Sequence, residues 1–515
     1  MNRRWLINDL FCKIDITERI VSRLENERYP SNTPIIFCAC LKEVLEITKE
    51  KVTDLKQRYD AHPEGVLNDE LATFHSFLRC LTLPFQLIEN AGTDSVPWSL
   101  ITPLTKSVYS LDKNIQLIMA SHYQNYNYYS IDILDYYRKI MQQGPGLANE
   151  EFDQRINRKY RQLLGVISSR NSAEVRDGTA PARADLELRR LGFILFPKIE
   201  RNCIFQQVLL AHEIGHNLFY RYVSQLHDIS GEASRVIDRI REDIQISHPD
   251  LERTQSIIFI AQKFTDFKTL LLHWIEETFC DIFAMRFFGI CALFAAHSFS
   301  LGSLSLDEYQ GKHPPWRFRL RAMLSSIDLV KLRLAITPAN INWGEFHDTQ
   351  QSFIKTTIER LESKLNEMDE ITHLRTDEAA FARSIVTKLA HEILVVRLPI
   401  IMNSIEECLG NGSFTSDNPI DLEIALKLCC RLNNGAVPNE VISCVELNWP
   451  GNETVDFRHI ILAGWIYKVC TLDYIEDDRT FVKESAKANR LILKAIELND
   501  IKREWFETRD VTPAG

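Results

Sequence analysis

The chain of 515 residues has no long apolar run. Its longest uninterrupted stretch is Phe287 to Ala296, with Arg286 before it and His297 after it. A membrane-crossing helix needs about 20 apolar residues, so no membrane span is expected. The start, Met1 to Asp15, lacks the apolar centre of a secretory signal, because Asn8, Asp9, Lys13 and Asp15 interrupt it. There is no excess of positive charge either: 60 Lys and Arg stand against 70 Asp and Glu, a net charge of −10. A nucleic-acid partner is therefore not expected. None of the 12 cysteines forms a C-x-x-C pair, which argues against a structural zinc cluster. They sit in helical, apolar contexts such as Phe37-Cys38-Ala39-Cys40 and Leu428-Cys429-Cys430. Free buried thiols in a reducing compartment, the cytoplasm, are the expectation. A glycine-rich phosphate loop, a G-x-S-x-G nucleophile elbow and a fixed-period repeat are all missing.

What remains is a globular composition, 45% hydrophobic and 25% charged, in a chain long enough for two to four domains. Helical periodicity dominates it. Before residue 165, helices are expected at about 34 to 59, 68 to 91 and 113 to 142. The first carries Phe37, Leu41, Val44, Leu45, Ile47, Val52 and Leu55 in a stripe of helical spacing. The tyrosine-rich stretch His122 to Tyr129 reads as aromatic packing between helices. Residues 170 to 187 read as a linker or mobile loop with a turn at Asp177-Gly178. The clearest strand is Leu191-Gly192-Phe193-Ile194-Leu195-Phe196-Pro197, read as an edge strand because proline is tolerated there. Further helices are expected at 230 to 245, 251 to 272, 346 to 368, 377 to 397, 420 to 433, 454 to 470 and 480 to 506. The fold class is mainly α with a small β-sheet. The boundaries are an N-terminal helical region at 1–165, a core at 166–335 and a C-terminal helical region at 336–515.

The core holds the most informative residues, His212-Glu213-Ile214-Gly215-His216, inside the apolar helix-like stretch Val208 to Phe219. Two histidines four apart lie on one helical face, so both imidazoles can reach one ion. Glu213 is placed to serve a water bound to that ion. This is the H-E-x-x-H arrangement of two zinc ligands and a general base. The plainer reading is two satisfied core histidines and a surface Glu. Three ionisable groups in one apolar turn, each needing a partner, favour a bound Zn2+. By contrast His391-Glu392-Ile393-Leu394-Val395 lacks the second histidine and reads as an ordinary helix.

Catalytic zinc takes three protein ligands as a rule. An extension with Gly three and His six residues after the second His is excluded, since Phe219 and Tyr222 stand there. The best third ligand lies in His273-Trp274-Ile275-Glu276-Glu277-Thr278-Phe279-Cys280-Asp281. Glu277 can bind the ion, and Asp281, one turn on, can accept a hydrogen bond from a ligating histidine and fix its tautomer. Glu276 and His273 are rival ligands, and Glu277 as a solvated carboxylate is the plain alternative.

The pairing HEIGH…EETFCD resembles the gluzincin metallopeptidases, whose pattern is H-E-x-x-H followed by E-x-x-x-D. The 60 residues between His216 and Glu277 look more like HtpX-type peptidases than the thermolysin type. A third element, His313-Pro314-Pro315-Trp316-Arg317-Phe318-Arg319, resembles the His-Pro-Pro…Arg stretch of such enzymes. Soluble bacterial proteins with an HE-[IL]-GH helix, a W-x-E-E-x-x-x-D helix and a downstream HPP-x-x-R also look similar. The resemblance spans about residues 190 to 330. It implies a zincin-like core flanked by helical regions, and a zinc peptidase acting on a protein or peptide substrate. In it His212, His216 and Glu277 bind Zn2+, Glu213 is the general base, Asp281 stands behind the ligands, and His313 or Arg317 steadies the oxyanion. HtpX-type enzymes are membrane-embedded, and this chain departs from them there.

Two other readings stay open. One is a binding or regulatory protein that keeps the zincin fold without turnover. The other is a deformylase-type hydrolase, which needs a Cys ligand upstream of the helix; Cys203 is poorly placed for that. Oligomeric state and substrate identity do not follow from these residues.

Overall fold

The computed structural model describes residues 3–63, 68–112, 115–122, 126–132, 136, 138–139, 142, 154–156, 158–159, 190–302, 306–307, 311–341, 343, 346–373, 384–414, 418–439 and 455–510. The chain divides into two units, Met1–Arg201 and Asn202–Gly515. The first contains helices α1 (Arg3–Glu25), α2 (Thr33–Ala61), α3 (Asn68–Cys80), α4 (Thr82–Glu89) and α5 (Trp98–Leu111), and strands β1 (Ile115–His122), β2 (Asn127–Asp132) and β3 (Arg190–Pro197). α2 begins with Pro34 in its first turn, where the missing N–H has no intrahelical acceptor to lose. Its stripe from Phe37 to Leu55 is buried and joins Ile7, Leu10 and Ile14 of α1 and Phe74 and Phe77 of α3 in one core.

The strand order is β1-β3-β2. β1 runs parallel to β3, from Ile115 opposite Arg190 to His122 opposite Pro197. β2 runs antiparallel to β3, with Asn127 opposite Leu195 and Asp132 opposite Arg190. Two expectations change here. The stretch expected as a helix at 113 to 142 supplies β1 and β2, since a short apolar run such as Leu117 to Ala120 fits either period until a pairing partner is known. β3 is consequently central and not an edge. Its continuous buried run Phe193-Ile194-Leu195-Phe196 suits a strand covered on both faces, and alternation would mark a half-exposed one. Pro197 sits at the last paired position, where its missing donor matters least. Tyr126 donates its hydroxyl to Oε2 of Glu200 at 2.6 Å. The proposed loop at 170 to 187 lies outside the described residues.

The second unit is helical throughout its described residues: α6 (Ile204–Gln207), α7 (Leu210–Phe219), α8 (Val223–Leu226), α9 (Ala233–Ser247), α10 (Arg253–Phe288), α11 (Ile290–Ser300), α12 (Trp316–Ser325), α13 (Leu329–Ala335), α14 (Asp348–His373), α15 (Ile385–Leu409), α16 (Pro419–Asn433), α17 (Phe457–Cys470) and α18 (Asp478–Asp510). α10 is its axis, 36 residues long, about 54 Å at 1.5 Å per residue. The expected helix at 251 to 272 and the carboxylate-bearing helix after it are one continuous element, because no Gly or Pro interrupts Arg253 to Phe288. A capping box of Glu252 and Gln255 opens it, and Gly289 closes it with φ of 65°, a conformation that favours glycine. From Phe267 onward α10 is immersed, with α7, α9, α11, α12 and α15 packed around it. A second cluster gathers α14, α16 and α18 on α17, whose Trp465 is fully buried.

The later expected helices appear as α14 to α18, with α15 running on through Pro399 to Leu409. The apolar run from Phe287 to Ala296 is broken at Gly289 between α10 and α11. Among the described residues no helix is long and apolar enough to cross a membrane. No disulfide joins the described cysteines, and most of them are buried.

Candidate metal centre

α7 buries Leu210, Ala211, Ile214 and Leu218, which turns His212 and His216 toward α10 on the opposite side of the same turn. Their rings lie 5.1 Å apart, edge to face. Gly215 lets the two helices touch: a Cβ there would stand 2.8 Å from Cα of Cys280. That contact aligns the histidines with the turn Glu276 to Asp281 of α10.

Each imidazole is held by a carboxylate on one nitrogen. Nδ1 of His212 donates to Oδ1 of Asp281 at 2.9 Å, and Nδ1 of His216 donates to Oε1 of Glu276 at 2.9 Å. The other nitrogens converge on Glu277. Nε2 of His212 is 3.4 Å from its Oε2, and Nε2 of His216 is 3.9 Å from its Oε1. Two donors bound to one tetrahedral zinc at about 2.0–2.1 Å would stand about 3.3 Å apart, so this spacing fits an ion cradled between them. Oε2 of Glu277 is buried and has no aligned hydrogen bond among the described residues, although Nδ1 of His313 lies 3.0 Å away and a terminal nitrogen of Arg319 3.6 Å away. A buried carboxylate oxygen among cations but without an aligned donor suits a metal ligand. The residues present therefore fit zinc by donor type, spacing and orientation.

Charge is balanced by direct contact. Burial acts against an ionised Glu277, but His212, His313 and Arg319 outweigh it and hold the carboxyl well below its usual range. Burial also opposes ionisation of Asp281, and Arg319 and His212 reverse that. For His212 burial favours the neutral ring, yet Asp281 and Glu277 prevail and raise its pKa to about 10. Cys280 lies on the same face of α10, and its sulfur falls within 4.8 Å of ring nitrogens of both histidines. Burial, then the charges of Glu277, Glu276, Asp281 and Glu213, push its thiol well up. Cys280 and Glu277 are thus the two candidate third donors beside the imidazoles.

The structure brings His212, His216, Glu277, Asp281 and His313 together. Pro314 and Pro315 hold an extended approach to α12, and the side chain of His313, 52% exposed, stands at the solvent side of Glu277. Glu213 is half-buried on α7, and among the described residues no hydrogen bond or ion pair holds its carboxylate. Arg317 lies elsewhere. It forks onto Asp307 at 2.6 and 2.8 Å and donates to the carbonyl of Ile371, so the expected oxyanion role has no geometric support. The arginine at the centre is Arg319, which donates to both oxygens of Asp281 at 2.7 Å. Residues two apart on a helix point about 200° from each other, and knowing that α12 starts at Trp316 was the missing signal. Glu276 orients His216 and is not placed as a ligand. His273 is half-buried one turn earlier on α10. His391 and Glu392 sit within α15; Glu392 pairs with Arg239, and His391 packs edge-on against Phe318.

Comparison with known protein families, curated proteins and solved structures returns no match.

Proposed function

We propose that this chain is a zinc-dependent metallopeptidase with a zincin-like, gluzincin-type centre, cleaving peptide bonds of a protein or peptide substrate. The observation that carries the reading is the convergence of two carboxylate-oriented imidazoles on the buried Glu277, with Nε2 of His212 3.4 Å from Oε2. His212, His216 and Glu277 would hold Zn2+. When bound, zinc supplies Lewis acidity, polarising a carbonyl and lowering the pKa of water to about 7. Asp281 and Glu276 engage Nδ1 of the two histidines, which would leave each Nε2 to the ion once it displaces the ring proton.

Glu213 performs the proton transfer. Its uncommitted carboxylate takes a proton from the attacking water and returns it to the leaving amine. His313, half exposed beside Glu277, would be the second donor, hydrogen-bonding the negative charge developing on the carbonyl oxygen. Arg317 has no part in this scheme, being engaged with Asp307. The described cysteines, mostly buried and without disulfides, suit a reducing compartment, and we propose the cytoplasm.

The test is Glu213→Gln. The variant is expected to keep its zinc, read by atomic emission, and to lose about 10²–10⁴-fold in hydrolysis, the usual share of general acid–base catalysis. Proteome-wide terminal labelling of cells expressing wild type or Glu213→Gln reads the substrates. New protein termini confined to the wild type support the reading. Identical terminus lists, with zinc bound in both, would replace the peptidase with a zinc-holding regulatory protein.

A further inference from the structure

Asp281 needs something to hold it. It is almost fully buried, one turn from Glu277 and near Glu276, and like charges packed this closely repel strongly in a low-dielectric interior. A carboxylate in such a site turns toward any available donor, and His212 would turn with it. The structure supplies one rigid donor. Nε of Arg319 donates to Oδ2 of Asp281 and a terminal nitrogen donates to Oδ1, both at 2.7 Å. That same Oδ1 accepts from Nδ1 of His212. The second reach of the guanidinium is to Oε2 of Glu277 at 3.6 Å. Its flat face lies 4.2 Å from the centroid of the Trp316 ring, which fixes the plane of the fork.

We propose that Arg319 is the positioning residue of this centre, a buried fork that fixes Asp281 and thereby His212, and that also steadies the ligand carboxylate of Glu277. This deepens the metallopeptidase reading and rests on it. The backbone of α12 makes the placement firm. Arg317 and Arg321, one turn apart on the far face of the helix, grip the C-terminal end of α14 through the carbonyls of Ile371 and Thr372. These carbonyls are ones a helix end leaves without intrahelical partners, and the negative end of the helix dipole favours the two cations. One face of α12 thus anchors it to α14, and the opposite face delivers Arg319. Lysine cannot replace the fork, since an ammonium is a point charge without the planar pair of donors that matches both oxygens of a carboxylate.

The test measures metal affinity and not turnover. Zinc dissociation constants are obtained for the full chain by competition with a chromophoric chelator, for wild type, Arg319→Lys, Asp281→Asn and Arg317→Lys. Visible spectra of the Co2+-loaded proteins report ligand geometry. Arg319→Lys is expected to bind zinc about 10–100-fold more weakly, the range for loss of a partner behind a metal ligand, with an altered Co2+ band. Arg317→Lys is expected to shift thermal unfolding and leave zinc affinity and the Co2+ band unchanged, as a purely structural role would. Wild-type affinity and spectrum in Arg319→Lys would overturn the proposal while leaving the metallopeptidase reading intact. Should Arg319→Lys fail to fold, unchanged affinity in Asp281→Asn overturns it equally. A wild-type chain that takes up no zinc removes the reading beneath it as well.

Discussion

Gly215→Ala adds a single methyl group at the point where α7 meets α10. The new Cβ would stand 2.8 Å from Cα of Cys280 and 3.1 Å from its Cβ and Sγ. Carbon atoms rest at about 3.5–4.0 Å, so the shortfall is about 0.7–1.2 Å, and it is against backbone that cannot rotate away. Overpacking of this kind costs about 1–3 kcal/mol, and contact with a main chain belongs at the upper end. Alanine in a helix interior returns about 1 kcal/mol relative to glycine. The balance is about 2 kcal/mol of destabilisation. For a unit of this size that is a fall of about 3 °C in melting temperature.

The strain also reaches the centre. If α7 backs away from α10, both Nε2 atoms retreat from Glu277, so zinc affinity falls together with stability. Gly464→Ala in α17 is the matched control. Its Cβ would meet Cδ1 of Ile492 at 2.5 Å, but that is the free end of a flexible side chain, which can change rotamer. It is expected to cost less than Gly215→Ala and to leave zinc affinity untouched. Thermal unfolding by circular dichroism and a zinc competition titration read both effects. A Gly215→Ala protein that melts at or above wild type and binds zinc equally well would refute the close-contact argument.

Other consequences are as direct. Glu277→Ala is expected to lower the zinc content of the purified protein, measured by atomic emission; unchanged stoichiometry would pass the ligand role to Cys280, whose sulfur shares the neighbourhood of both histidines. Asp456 caps α17 through the N–H of Arg458 at 2.8 Å and pairs with the guanidinium of the same residue at 2.7 Å. Burial opposes its ionisation, but the contacts with Arg458 win and hold its pKa below the ordinary value. Its folded pKa is thus lower than its unfolded one, near 3.9, so its contribution is present above about pH 4 and fades as pH falls through the folded value. Asp456→Asn removes that contribution. The gap in melting temperature between wild type and the variant should narrow from about pH 6 to about pH 3, and a constant gap would contradict the assignment.

Much of the second unit was legible because its signals are local. The stretch Val208 to Phe219 carries its helical period in its own residues, and so do the segments that became α14, α16, α17 and α18. Even so, the continuity of α10 was hidden, since apolar periodicity marks the buried half after Phe267 and says little of the exposed half before it. In the first unit the reading failed at residues 113 to 142. Ile115 to Ala120 has no period of its own strong enough to choose between helix and strand. The choice was made by β3, more than sixty residues farther along the chain.

The same division runs through the candidate centre. By itself the sequence determined that His212 and His216 share a face, that Glu277, Cys280 and Asp281 share another, and that Gly215 lies between the histidines, because a helix repeats every 3.6 residues whatever surrounds it. Only the tertiary structure decided that these two faces meet, that Glu276 serves His216 while Asp281 serves His212, and that the arginine turned inward is Arg319 and not Arg317. Those outcomes depend on the rotation and approach of one helix against another, and these are set by packing between residues far apart in the chain, to which no short-range period is sensitive.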